Sequence, residues 1–284
     1  MRYEAPAKVN LSLLVSPPRS DGFHPLESLV QTVEWCDLLD VEPGQEGRDS
    51  IVTDIEDNIV ERALVELRKT AAVPPLAITL DKQIPIAAGL GGGSSDAAAV
   101  LMAGAEQVGV SRSGLADVAA HVGSDVALFL TGGTMIMRGR GEQIETVEPL
   151  SEFAVAIVVP DFGLSTADVY QRWDALEGPV GDPVPDQRLP PTMRGGMPMR
   201  NDLLPAALDF EPRLGDFIAD IGSIWGSPVC LTGSGSACFG YFATLDEATD
   251  AAFAVSDVVR EGRGVGLRGN GVRGLDDRAG DEAR

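Results

Sequence analysis

The sequence predicts an α/β fold built as two lobes, and three observations predict it. Stretches with an apolar period of two alternate with stretches whose apolar residues recur every three or four positions. A glycine-rich turn at 85–95 joins a strand-like stretch to a long, alanine-rich, helix-like one. After Phe153 the composition shifts, and the run Phe-Ala-Val-Ala-Ile-Val-Val opens a second α/β series. A chain of 284 residues that is 44% hydrophobic has the material for one large domain or two of ordinary size. The expected division is 1–152 and 153–264, with the Gly/Arg/Asp-rich residues 265–284 fraying beyond.

Taken in order, residues 7–15 alternate as a strand, with Val9, Leu11 and Leu13 on one face. The Pro17–Gly22 stretch is a loop, and 26–42 reads as a second extended region. Asp57-Asn58 can cap a helix over 59–70, where Ile59, Ala63, Leu64 and Leu67 form a stripe. Leu76, Ile78 and Leu80 alternate in a strand that runs into the glycine-rich loop, and a helix follows from Ser94 to about Val108. A further helix at 113–122 stops at Gly123, and the apolar run 126–130 reads as a buried strand. In the second lobe a strand at 153–159 leads to a short helix near 166–175. Residues 178–199, with six prolines, form a long surface loop of the kind that is usually functional or mobile. Helical pieces follow over 201–222, then strands at 229–231 and 238–242 and a helix at 245–260. There is no internal repeat.

Charge is the first property that excludes a function. With 22 Lys plus Arg against 43 Asp plus Glu, the net charge is −21. Neither a nucleic-acid backbone nor an anionic membrane surface suits such a chain as a partner. Glu4 and Lys8 stand where the apolar core of an export signal starts, and no apolar stretch approaches membrane-spanning length, so a cytoplasmic protein is expected. Cys36, Cys230 and Cys238 are odd in number and form no C-x-x-C pair, which fits small buried thiols better than a disulfide framework or a zinc site. No metal site made of protein ligands is expected.

The segment Pro85, Ile86, Ala87, Ala88, Gly89, Leu90, Gly91, Gly92, Gly93, Ser94, Ser95 carries the most chemical information. Its glycines let backbone approach a ligand closely, and the helix after it directs unpaired N–H groups and a dipole at that ligand, as phosphate sites require. It is neither a P-loop, since no Gly-Lys-Ser/Thr closes it, nor a dinucleotide fingerprint. Ser94 and Ser95 can cap the helix or face a phosphate or Mg²⁺. A turn that needs glycine for packing alone is the alternative, and Asp96 reads as a charge compensating the helix dipole. Gly233-Ser234-Gly235-Ser236 is either a second phosphate-closing turn or simply a tight turn. Asp125 suits a general base facing a cleft, or a cap or ion-pair partner. Lys8, in an apolar strand, either snorkels or sits beside a carboxylate and a transferring phosphoryl group. Phe23 and His24, adjacent on a loop, suit stacking on and hydrogen bonding to a flat base, or simple exposure. His121 reads as structural.

Together these pieces resemble the GHMP kinase superfamily over nearly the whole chain. The resemblance rests on Pro6-Ala7-Lys8-Val9-Asn10-Leu11, Asp21-Gly22-Phe23-His24, Glu56-Asp57-Asn58, the GLGGGSSDA loop, Gly123-Ser124-Asp125-Val126, Gly139-Arg140-Gly141-Glu142, Asn201-Asp202-Leu203 and 231–235. The opening A-K-V-N-L, the D-G-F-H and the G-R-G-E point to the branch that takes a cytidine-diphosphate-linked methylerythritol. The resemblance implies a two-lobed GHMP fold with the active site in the cleft between lobes. It also implies ATP-dependent, Mg²⁺-assisted phosphorylation of a 2-hydroxyl in non-mevalonate isoprenoid synthesis, by a monomer or homodimer. By the same resemblance, residues 85–95 wrap the ATP phosphates, with Asn58 and Lys82 on the nucleotide side. Asp125 takes the proton of the accepting hydroxyl, and Lys8 holds that hydroxyl and Asp125 in register. Asn10 positions the substrate, Phe23 and Tyr170 stack on cytosine, His24 reads its edge, and Thr232, Gly233, Ser234 and Gly235 lie against the substrate.

Three features depart from the family pattern. Phe23 stands where tyrosine is usual, Ser124 and Ala127 flank Asp125 in place of alanine and proline, and loop 178–199 has no clear counterpart. Another GHMP kinase acting on homoserine, mevalonate or a sugar, and a catalytically idle nucleotide binder, are the rival readings. The Phe23, His24 and Tyr170 set speaks against the first, and retention of Lys8 and Asp125 against the second. The missing dinucleotide fingerprint excludes a flavin or nicotinamide oxidoreductase.

Overall fold

The computed structural model describes residues 1–45, 48–53 and 59–275. Strand β1 (Arg2–Val15) is buried almost throughout and pairs antiparallel with the long β2 (Leu26–Pro43), with register shifts at Pro6/Ala7 and Asn10/Ser12. The short β3 (Ser50–Val52) comes next, then helix α1 (Ile59–Arg68), in which Ala63, Leu64 and Leu67 are buried as expected, while Val60 is buried in place of Ile59, which is only partly so. Each leucine sealed in this way contributes about 1.5–3 kcal/mol. Strand β4 (Leu76–Asp81) leads through the glycine loop into α2 (Gly92–Gln107), followed by α3 (Ala116–Val122) and α4 (Val126–Thr131). The hairpin β5 (Thr134–Gly139) and β6 (Gln143–Thr146) turns through Arg140 and Gly141.

A second series begins with β7 (Ala154–Val159) and α5 (Thr166–Ala175), then α6 (Leu204–Phe210) and α7 (Arg213–Trp225). It continues through β8 (Cys230–Leu231), β9 (Cys238–Phe242), α8 (Leu245–Ala254) and β10 (Glu261–Val265), and the last strand is β11 (Arg273–Gly274). The first sheet runs β11-β1-β2-β4-β3, with β5 and β6 branching from the N-terminal half of β2, and the second runs β10-β7-β9-β8. The fold is thus α/β in two lobes. One core lies between the first sheet and α1–α4, a second between the two sheets, and a third beneath α5–α7. Among the described residues no helix is long and apolar enough to cross a membrane.

Several expectations need correction. Residues 126–130 are helix rather than strand, because a five-residue apolar run carries no period that separates a buried helix from a buried strand. The helix at 245–260 stops at Ala254, turns take up 255–258, and strand β10 begins at Glu261. Loop 178–199 is anchored, not free: Leu189, Met193 and Met199 are buried in the core between the sheets. Residues 265–275 do not fray. They cross back so that β11 pairs with β1, Val272 enters the first core, and the buried Arg268 bonds Glu4 and Cys36 Sγ at 3.0 and 3.1 Å. A composition that looks like a tail conceals a buried cation, two of whose partners, Glu4 and Cys36, lie more than 230 residues away. Residues 276–284 and the expected cap Asp57-Asn58 lie outside the described residues.

Candidate active site

The glycine loop opens onto a pocket of about 360 Å³ lined by each residue from 85 to 94 together with Lys82. Helix α2 starts at Gly92, two residues earlier than expected, and its N-cap is Gly91 at φ +74° rather than Ser94 or Ser95. A side chain at Gly91 would be strained, and its Cβ would lie 2.7 Å from the Phe129 ring. No side chain caps α2, so the N–H groups of its first turn are available to a ligand in the pocket. Ser94 faces that pocket, whereas the Ser95 hydroxyl is buried without a partner and does not reach it. The loop is braced from behind: Lys8 N donates to Leu90 O, and Ala237 N donates to Ala88 O. Gly89 sits so close to the 232–235 turn that a Cβ there would lie 2.8 Å from Thr232 O.

Both stems of the loop meet a buried carboxylate–ammonium–carboxylate triad. Asp37 Oδ1 accepts from Gln83 N (2.6 Å) and Ile84 N (2.8 Å), while its Oδ2 accepts from Lys82 Nζ (2.5 Å). Lys82 Nζ also donates to Asp96 Oδ2 at 2.8 Å. Asp96 is therefore a hydrogen-bond partner of Lys82 on the buried side of α2, outside the first turn where a charge would compensate the helix dipole. Burial opposes the charge on Lys82, but the two carboxylates more than offset it and raise its pKa. Burial, and then the charge of Asp37, push the Asp96 carboxyl well above the ordinary range, and its Oδ1 has no donor to stabilise a negative charge. The folded protein therefore holds this proton where the unfolded chain has lost it. The resulting stabilisation is complete below the ordinary carboxyl pKa and is lost as pH rises through the raised one. Asp96→Asn should fold normally and flatten that decline. Urea midpoints of both proteins between pH 4 and 8 check this, and parallel curves would remove Asp96 as the source.

The glycine loop adjoins a larger cleft of about 710 Å³. Lys8 and Asn10 project into it from the same face of β1, by the period of two. Lys8 Nζ donates to Asn10 Oδ1 (2.5 Å) and Gly89 O (2.7 Å), and Asn10 Nδ2 donates to Ser28 Oγ. Burial lowers the Lys8 pKa, and the nearby charge of Asp125 opposes that shift. Asp125 is the N-cap residue of α4 but makes no capping hydrogen bond, so its carboxylate is left to the cleft. Tyr170 of α5 closes the other wall, its hydroxyl pushed up to about 12 by burial and by Asp125. Phe23 is half exposed at the mouth, with the Arg140 guanidinium 3.7 Å above its ring centroid. The His24 ring lies 5.2 Å from the Tyr170 ring, with Nδ1 3.2 Å from Ser16 O and Nε2 3.3 Å from Asp174. A base edge read by His24 thus competes with Asp174.

Gly233 and Ser234 line the cleft, but Thr232 and Gly235 do not. Thr232 is fully buried and accepts from Asn10 N, and Gly235 O packs against Gly89. These two residues support the loops rather than face a ligand. Asn201 holds the same turn by donating to Leu231 O and Gly233 O. Reading the sequence residue by residue missed Asp37 altogether and assigned no role to Arg140 or Asn201. Arg140 and Asn201 stood inside quoted motifs, but Asp37 carries no local signal. Chemically, the arrangement offers a nucleotide-phosphate cradle beside a carboxylate and a buried ammonium, with aromatic surface at the cleft mouth.

Known proteins resemble this chain over most of its length. The profile of the GHMP kinases N terminal domain matches residues 58–133. A 4-diphosphocytidyl-2-C-methyl-D-erythritol kinase from Pelotomaculum thermopropionicum is 35% identical over 263 residues, covering 87% of this chain and 91% of that protein. A crystal structure of 4-(cytidine 5′-diphospho)-2C-methyl-D-erythritol kinase superposes with a TM-score of 0.78 at 32% identity, covering 95% of this chain and all of that one. Homoserine kinase from Cytophaga hutchinsonii, at 17% identity and a TM-score of 0.66 over 96% of each chain, shares the fold. The chain belongs to the 4-diphosphocytidyl-2-C-methyl-D-erythritol kinase family of GHMP kinases.

Proposed function

We propose that this chain transfers the γ-phosphoryl group of ATP to the 2-hydroxyl of 4-diphosphocytidyl-2-C-methyl-D-erythritol. One observation carries the reading: a helix-terminus phosphate cradle adjoins a cleft holding an uncapped carboxylate, a buried lysine and exposed aromatic surface. Phosphoryl transfer asks the protein mainly for positioning and charge neutralisation. The N–H groups at the start of α2 hold the ATP phosphates. Asp125 accepts the proton of the attacking hydroxyl, while Lys8, fixed by Asn10 and Gly89, keeps hydroxyl and carboxylate together and offsets the charge that develops. Phe23 and Tyr170 stack on the cytosine.

Mg²⁺ would be held largely by the phosphates. Among the described residues no group of three His, Cys, Asp or Glu is placed to ligate a metal, and Asp37 and Asp96 are both engaged by Lys82. The Ser94 hydroxyl, which lines the phosphate pocket, would add a protein oxygen to that coordination, as a Ser or Thr hydroxyl does in other phosphate loops. When bound, the ion neutralises phosphate charge.

The test is ADP release with Mg²⁺-ATP, comparing the cytidine compound with homoserine, mevalonate and galactose. Turnover on the cytidine compound alone is expected, and turnover on another acceptor, or none with ATP still bound, would overturn the reading. Phe23→Ala should raise KM for the cytidine compound about tenfold through lost stacking, with KM for ATP unchanged. Equal effects on both would remove Phe23 from the base site.

A further inference from the structure

Asn201 and Asp202 are buried and line neither ligand pocket. They lie where the two lobes are stitched together. Residues 198–202 run along the second half of β1: Ser12 Oγ donates to Pro198 O, Leu13 N to Arg200 O, and Asp202 N to Leu13 O. The Asp202 carboxylate secures this segment by accepting from Val15 N, Gly181 N and Arg200 Nε. Asn201 reaches the other way. Its Oδ1 accepts from Leu203 N (2.9 Å), and its Nδ2 donates to Leu231 O (2.9 Å) and Gly233 O (2.8 Å). One buried amide thus fixes the turn after β8 to the strand that carries Lys8 and Asn10.

That turn stands against the ammonium. A Cβ on Gly233 would lie 3.4 Å from Lys8 Nζ, from Asn10 Oδ1 and from Gly89 O, so the Gly233 backbone walls in the group that Asn10 and Gly89 hold. Thr232 accepts from Asn10 N, and Gly235 O packs against Gly89. Gly233 and Gly235 both take positive φ, and glycine gives the turn little stiffness of its own. Donors from outside, to its carbonyls, hold it in place.

Resting on the function proposed above, we propose that Asn201 is a positioning residue for phosphoryl transfer: through its two bonds to the 231–233 turn it keeps Lys8 and Asn10 in register with the accepting hydroxyl. It acts without touching either substrate.

The experiment measures kcat, both KM values and the pH dependence of kcat in wild type, Asn201→Ala and Asn201→Asp. Denaturant midpoints refer each rate to folded protein. Asn201→Ala should lower kcat by about ten- to a hundredfold, the cost of misplacing a reacting group by about an ångström, with both KM values within about twofold of wild type. The alkaline limb of the kcat profile should also move to higher pH. Water reaching Lys8 relieves the burial that lowers its pKa, while Asp125, whose charge opposes that lowering, stays. His24, Arg140 and Tyr170, the other ionisable groups lining the cleft, should be unaffected by the change. Asn201→Asp keeps the volume and the bond from Leu203 N but cannot donate as a carboxylate, so it should lose rate likewise and carries the test should alanine fail to fold. A kcat within about twofold of wild type would overturn the proposal. So would a loss of rate with the limb unmoved, which is what a merely destabilised protein gives. Wild-type turnover on the cytidine compound separates the two readings. Its absence sinks both, whereas its presence with unchanged kcat in the variants sinks the role of Asn201 only.

Discussion

Asp125→Asn is expected to lower turnover by about 10²–10⁴-fold, the usual worth of a positioned general base, while ATP binds as in the wild type. The size follows from placement. Asp125 caps α4 by position but not by hydrogen bond, and asparagine is an equally good N-cap residue, so the fold should not notice the change. What disappears is the role proposed for the carboxylate in the cleft, accepting a proton beside Lys8. Lys8 also loses the nearby negative charge that opposes its desolvation, so its pKa should fall further. Single-turnover rates with nucleotide binding followed separately make the check. A rate near that of wild type would remove Asp125 as the base, and lost ATP binding would mean that the change disturbed the phosphate loop instead.

Asp37→Ala is expected to destabilise the protein by about 3–5 kcal/mol, the cost of removing one partner from a buried ion pair. Asp37 is fully buried and accepts from Lys82 Nζ and from two successive backbone N–H groups, Gln83 and Ile84. Its loss leaves the Gln83 and Ile84 N–H groups without this acceptor, the latter buried, and Lys82 with Asp96 alone. Because Gln83 and Ile84 immediately precede the phosphate loop, KM for ATP should rise while the preference for the cytidine acceptor is kept. Denaturant midpoints and the two KM values decide it. A midpoint within error of wild type would show that Lys82 and Asp96 hold the stem without Asp37.

The parts of this protein legible in its sequence are those set by neighbours along the chain. The stripe Ala63-Leu64-Leu67, the alternation along β1 and the glycine run before α2 each state a local backbone preference that the folded chain keeps. Lys8, Asp125 and residues 85–94 could be picked out because their chemistry is unusual for their surroundings, a lysine in an apolar strand and glycines crowded before a helix. Illegible were the features made by long-range closure. Residues 126–130 became helix because α4 packs on α2 and α3, a choice that five apolar residues do not encode. The last described residues became ordered because Arg268 finds Glu4 and Cys36 across the chain.

The candidate site divides in the same way. The residues' own chemistry was enough to nominate Lys8, Phe23, His24 and Asp125, the family resemblance added Asn10 and Tyr170, and all six line one cleft. Which neighbours turn towards the ligand and which support it from behind was decided only in three dimensions. Gly233 and Ser234 face the cleft while Thr232 and Gly235 brace its floor, and Ser94 faces the phosphate pocket while Ser95 is buried. Asp37 comes to the stem of the phosphate loop from a strand 45 residues earlier than Lys82. Sequence by itself determines local conformation and the inventory of reactive groups, because these depend on adjacent atoms. Orientation, burial and the partners that shift a charge depend on atoms brought together by packing, so only the tertiary structure decides them.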